Sequence, residues 1–198
     1  MGRLQQSVAD NWITRVEVEV TDDIVGLIRP IASAVLTGIL QSEHPEVNHV
    51  NAPVIAQENG ITIAQTRGLT EAEYPNVIAC KVFWEGDNPT STGTEHTIAG
   101  IVLGGKHPRL IQFNRYYLEA NPDGVVLLLR NKDVPGVIGK IGTLLGTFDV
   151  NIAEWRLGRV DPGGEALAFI NLDEVPPPQV LDAISAVPAV VKAKIVEL

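Results

Sequence analysis

The residues best placed to do chemistry form one polar run, Asn131-Lys132-Asp133, set directly before Val134-Pro135-Gly136-Val137. A strand ends there in polar side chains, and Pro-Gly leads into an apolar stripe of helical spacing. The open N–H groups at the start of a helix attract a small anion such as a carboxylate. Asn131 and Asp133 alternate to the same side of an extended chain. Asn131 offers donors and an acceptor, and Asp133 accepts from an ammonium group. Together they suit a zwitterionic amino acid. The same residues equally suit a turn followed by a helix cap, and the run alone does not choose. A second group is cationic: Lys106-His107-Pro108-Arg109, with Arg115 close behind. An arginine at a strand start can fork onto a carboxylate or phosphate, or it can simply blunt a strand edge.

Catalytic parts do not assemble. Gly104-Gly105 is not a GxGxxG fingerprint, and no P-loop occurs. His44, His49, His96 and His107 lack metal-site spacing and read as exposed loop histidines. Cys80 lies in a strand-like run and reads as a buried, inert thiol. Asp22, Asp23, Glu71 and Glu73 read as capping or solvated acids rather than general acid–base groups.

Composition narrows the classes. The chain has 198 residues, 15 Lys plus Arg against 24 Asp plus Glu, and a formal net charge of −9. Nucleic acid and anionic membrane surfaces need a basic face, so neither is expected as a partner. One cysteine excludes a disulfide framework and a thiolate cluster. The polar start, MGRLQQSVADNW, has no apolar core of a signal peptide, and no run of about 18 apolar residues is visible. A soluble, cytoplasmic protein is the expectation.

The elements that must carry these groups fall into two sets. In Thr14–Val20, Val16, Val18 and Val20 alternate with Arg15, Glu17 and Glu19, the pattern of a half-buried strand. Thr21-Asp22-Asp23 then supplies capping chemistry. Ile24, Leu27, Ile28, Ile31, Val35 and Ile39 make one stripe on a helix of about four turns, and Pro30 should kink or split it. Short strands follow from Gly60, over Asn76–Trp84, Thr94–Leu103 and Arg109–Phe113, with a turn over Glu85–Pro89. This set reads as α+β. The turn-rich segment Ala120-Asn121-Pro122-Asp123-Gly124 divides the chain into 1–121 and 122–198.

The second set runs strand (Gly124–Arg130), helix (Val137, Ile141, Leu144, Leu145, Phe148), strand (Val150–Val160), the Asp161-Pro162-Gly163-Gly164 turn, strand (Ala166–Leu172), helix (Pro177–Ala186) and strand (Val190–Val196). That is the βαββαβ, ferredoxin-like order.

These residues resemble a known arrangement. Asn131 to Gly146, followed by Val150-Asn151-Ile152, is similar to an ACT domain, the regulatory module of amino-acid metabolism. Val50-Asn51-Ala52-Pro53, Glu58-Asn59-Gly60-Ile61 and Arg109 to Asn114 resemble the domain that precedes it in long-form D-3-phosphoglycerate dehydrogenases, enzymes of serine biosynthesis. The resemblance covers essentially the whole chain and implies a mixed α/β allosteric substrate-binding domain followed by an ACT domain. It also implies a homo-oligomer paired through ACT domains. L-serine would sit between two copies, held by Asn131, Asp133, the backbone around Gly136, Val137 and Ile138, and Asn151. An anionic phosphorylated ligand would sit at Arg109, with Lys106 and Arg115 near. Asn131 departs from the resembled family, where an aromatic residue or His is common. The NAD-binding and catalytic domains of those enzymes are not in this chain, so no catalytic residue and no cofactor is expected in it. Two other readings stand beside this one: an oligomerisation module without a ligand, and a serine dehydratase-type subunit.

Overall fold

The computed structural model describes residues 1–69, 74–84 and 95–198. Glu71, Glu73, the turn over Glu85–Pro89 and Thr94 lie outside the described residues. The chain divides into two compact units, Met1–Asn114 and Arg115–Leu198. The turn at 120–124, where the sequence reading divides the chain, falls inside the second unit.

The first unit carries helices α1 (Gly2–Val8), α2 (Ile28–Leu40) and α3 (Ala52–Glu58). Its strands are β1 (Ile13–Val20), β2 (Thr62–Arg67), β3 (Ile78–Trp84), β4 (Glu95–Leu103) and β5 (His107–Phe113), in sheet order β2-β1-β3-β4-β5. The β1–β2 pair is parallel, with Arg15 opposite Thr62, and the other pairs are antiparallel. A parallel pair needs a crossover between its strands, and α2 and α3 provide it. Val16, Val18 and Val20 are fully buried with Leu36, Leu40, Cys80 and Val82 in the core. The alternation in β1 is therefore one face packed under helices.

Local details differ from the expectation around Thr21. No side chain caps the segment that follows it. Instead the Thr21 hydroxyl accepts the Val77 N–H at 3.1 Å, and the Asp23 carboxylate accepts the Asn76 N–H at 3.0 Å. The two residues clip a distant segment because tertiary partners outcompete a local cap. The helical stripe does split, but ahead of Pro30. Asp22–Leu27 is a 3₁₀ turn, and α2 starts at Ile28. Pro30 thus lies in the first helical turn, where a missing N–H costs nothing.

The whole stretch Asp22–Leu40 has the length and apolar composition of a membrane span. However, α2 is a core element, with Ala32, Val35, Leu36, Ile39 and Leu40 buried under the sheet. Helix α1 crosses it at very close range. A Cβ added at Gly38 would lie 2.9 Å from the Arg3 backbone nitrogen. His96 is not the exposed loop group expected. It is in β4, edge-on to Trp84 at 5.0 Å and to Phe113 at 5.6 Å. His49 is exposed in a turn, as expected, with Nδ1 3.2 Å from the Thr37 hydroxyl. Cys80 is buried, and burial pushes its thiol up to about 12.

The second unit opens with β6 (Tyr116–Ala120). It continues with β7 (Val125–Lys132), α4 (Val137–Thr147), β8 (Ile152–Arg159), β9 (Glu165–Leu172), α5 (Pro178–Ser185) and β10 (Val190–Glu197). The four-stranded order β10-β7-β9-β8, antiparallel throughout, is the ferredoxin-like sheet. Leu127, Leu129, Ala168 and Ile170 of the sheet pack with Ile141 and Leu145 of α4 and Val180 and Ile184 of α5. Strand β6 falls in this unit by the division of the chain, and β8 lies against it. A Cβ at Gly158 would be 3.0 Å from the Tyr117 carbonyl oxygen and 3.1 Å from Tyr116 Cβ.

Candidate functional site

Strand β7 ends in Asn131 and Lys132, and five residues on, α4 begins at Val137. Gly136 makes the transition with φ +88°, a left-handed conformation that suits glycine. No side chain caps the helix. Its leading N–H groups therefore remain directed at whatever occupies the loop. Val137 is buried and anchors the helix, and Ile138 is exposed. Asn131 is buried, and its amide donates to the Lys132 carbonyl at 2.7 Å. That bond uses donor capacity and leaves the Asn131 oxygen as an acceptor.

Asp133 points to the β8–β9 turn. Its backbone N–H donates to the Gly164 carbonyl at 2.8 Å. Its carboxylate accepts the Gly163 N–H at 3.3 Å and lies 3.4 Å from the Arg159 guanidinium. Arg159 was not singled out from the sequence, because only the strand register, with Arg159 and Asn131 both opposite Ala166, brings it here.

Asn151 lies elsewhere. It precedes β8, whose first residue Ile152 pairs with Leu172, and Leu172 pairs with Val125 at the start of β7. Asn131 pairs with Ala166. From Ala166 to Leu172 the sheet runs about 20 Å at about 3.4 Å per residue. Asn131 and Asp133 therefore stand at one end of the sheet and Asn151 at the other. At its end, the Asn151 amide donates to the Asp173 carboxylate at 2.7 Å.

The cationic residues are divided between the two units. Lys106 sits exposed in the β4–β5 turn, and Arg109 is on β5 opposite Ile101, so both belong to one hairpin of the first unit. The Arg109 guanidinium donates to the Pro108 carbonyl at 2.8 Å. Arg115 begins the second unit. It donates to the Tyr116 hydroxyl at 3.2 Å and lies 3.6 Å from Glu165, which also approaches Arg130 at 3.7 Å. The Tyr116 contact, then nearby carboxylates, raise the already high pKa of Arg115. Among the described residues, no group of three or more His, Cys, Asp or Glu side chains could hold a metal ion.

Residues 1–114 match the family model of the D-3-phosphoglycerate dehydrogenase intervening domain, and residues 125–189 match that of the ACT domain. The chain belongs to the D-3-phosphoglycerate dehydrogenase family. It is 31% identical to the D-3-phosphoglycerate dehydrogenase of Synechocystis sp. over 201 residues, covering 100% of this chain and 35% of the relative. It is 30% identical to that of Methanocaldococcus jannaschii, with 100% and 36% covered, and 32% identical to that of Bacillus subtilis, with 85% and 31% covered. The chain thus spans about a third of the length of the curated relatives it matches. It corresponds to their C-terminal intervening and ACT domains.

Proposed function

We propose that these two units are the regulatory region of a D-3-phosphoglycerate dehydrogenase and that the ACT unit binds L-serine between two copies of the chain. One observation carries this reading: the two halves of the expected serine site, Asn131 with the α4 start and Asn151, lie at opposite ends of one sheet. A single copy cannot close both on one small ligand. An isologous pair does so naturally, since a two-fold axis sets the end of one copy beside the opposite end of the other. In this reading the α4 N–H groups take the carboxylate, and Asn131 of one copy and Asn151 of the other take the donor groups. Asp133, engaged by Gly163 and Arg159, shapes the loop and supplies negative charge near the ammonium.

In the intervening unit the reading assigns an anionic phosphorylated ligand to Lys106 and Arg109 of the β4–β5 hairpin. Arg115, expected to join them, is engaged with Glu165 in the second unit. NAD and the dehydrogenase chemistry belong, on this reading, to the catalytic domains of the full enzyme. The effector acts by linkage: it stabilises the arrangement it binds, with a coupling of about 1–3 kcal/mol that is reciprocal with substrate binding.

A second reading, a pairing module without an effector, draws on a specific feature. Strand β8 ends the sheet order, and Ile138 and Leu157 are apolar and exposed. Calorimetry with L-serine, glycine, 3-phosphoglycerate and inorganic phosphate, run beside sedimentation, separates the two. Binding of serine with self-association supports the effector reading. Self-association without any binding at millimolar ligand supports the pairing module.

A further inference from the structure

Asn151 and Asp173 face each other one step beyond the last β8–β9 pair, Ile152 with Leu172. Their contact is reciprocal. The Asn151 amide donates to Asp173 Oδ2 at 2.7 Å, and the Asp173 N–H donates to the Asn151 carbonyl at 3.3 Å. An ionised carboxylate only accepts, so the NH₂ edge of Asn151 must face Asp173. The Asn151 Oδ1 edge is then the one turned outward, and both residues are exposed.

We infer that Asp173 is a positioning residue that fixes Asn151 as an acceptor, so that the site it serves recognises the ammonium group of a primary amino acid. This rests on the effector reading above and sharpens it. A free asparagine side chain accepts or donates with equal ease and would read a carboxylate as well as an ammonium. Held by Asp173, it offers an oxygen only. The neighbouring carboxylate adds negative potential that favours a cation at that oxygen. With the carboxylate of the ligand at the α4 start, the class selected is a free α-amino acid. N-Acylated amino acids and 2-hydroxy acids lack the ammonium that this oxygen would meet.

The test compares L-serine with glycerate, which keeps the carboxylate and hydroxyl but lacks the ammonium, on the wild-type chain and on Asp173→Ala. The wild type should prefer serine by about tenfold or more, the scale of one hydrogen bond to a charged group. Asp173→Ala should bring that preference close to unity while leaving glycerate affinity and the sedimentation coefficient unchanged. A merely structural clamp would weaken both ligands together, and that result overturns the positioning role. An unchanged preference in Asp173→Ala overturns it too. If the wild-type chain binds neither ligand, the effector reading itself fails, and this assignment with it.

Discussion

The Asp133 carboxylate lies 3.4 Å from the Arg159 guanidinium and accepts the Gly163 N–H at 3.3 Å, which ties the loop before α4 to the β8–β9 turn. The Arg159 side chain is 58% exposed, so solvent screens the pair heavily. Arg159→Ala should cost under about 1 kcal/mol of stability. Asp133→Ala removes the anchor for Gly163 as well. Hydrogen exchange should accelerate at residues 133–136 and 161–164 in that variant and stay unchanged in α5. Equal protection in both segments would show that the carboxylate does not hold the loop.

Gly38→Ala places a methyl group where the Arg3 backbone nitrogen is only 2.9 Å away. Neither backbone can yield cheaply, so helices α1 and α2 must separate. A loss of about 1–3 kcal/mol is expected from overpacking, read as a lower urea midpoint. In contrast, Gly139→Ala meets no atom within 4 Å and should hold or raise the midpoint, because alanine favours a helix over glycine by about 1 kcal/mol.

Cys80 is buried, with its thiol pushed up to about 12 from an ordinary value of 9.0. Native protein should resist alkylation at pH 8 and react only when unfolded. The sign of its pH effect follows from proton counting. Above about pH 9 the unfolded thiol loses its proton while the folded one keeps it, so the folded state binds more protons and stability falls as pH rises. Cys80→Ser should flatten that alkaline decline in a series of urea titrations. An equally steep decline in the variant would locate its cause elsewhere.

Leu157 is apolar and 37% exposed on β8, which ends the sheet order. If two copies pair there, Leu157→Asp should shift sedimentation from dimer to monomer without lowering the thermal midpoint by more than a few degrees. A dimer that survives the charge would place the pairing surface elsewhere.

Much of the second unit was legible in the sequence. Strict apolar spacing and the Asp161-Pro162-Gly163-Gly164 turn gave the βαββαβ order, and Pro135-Gly136 marked the start of α4. The first unit was less so. Helix α3 carries only Ala52 and Ala56 as buried positions, too few for a visible stripe. The parallel β1–β2 pair is a long-range relationship that no local pattern encodes. The site residues were legible as types but not as places. Spacing put Asn131 at the end of a strand and the resemblance pointed to Asn151, while only the register shows that they stand at opposite ends of the sheet. Likewise Arg115 reads as a neighbour of Arg109 in sequence, yet it belongs to the second unit, where Glu165 engages it.

The central claim is that one effector site is shared by two copies, with Asn131 supplied by one and Asn151 by the other. Mixing folded Asn131→Ala with folded Asn151→Ala tests it most directly by calorimetry with L-serine. Each variant alone should have lost most of its binding. After subunit exchange, half of the dimers should be mixed, each with one intact site, which restores about a quarter of the wild-type site count. No recovery on mixing, with exchange confirmed, would contradict a site built across two copies.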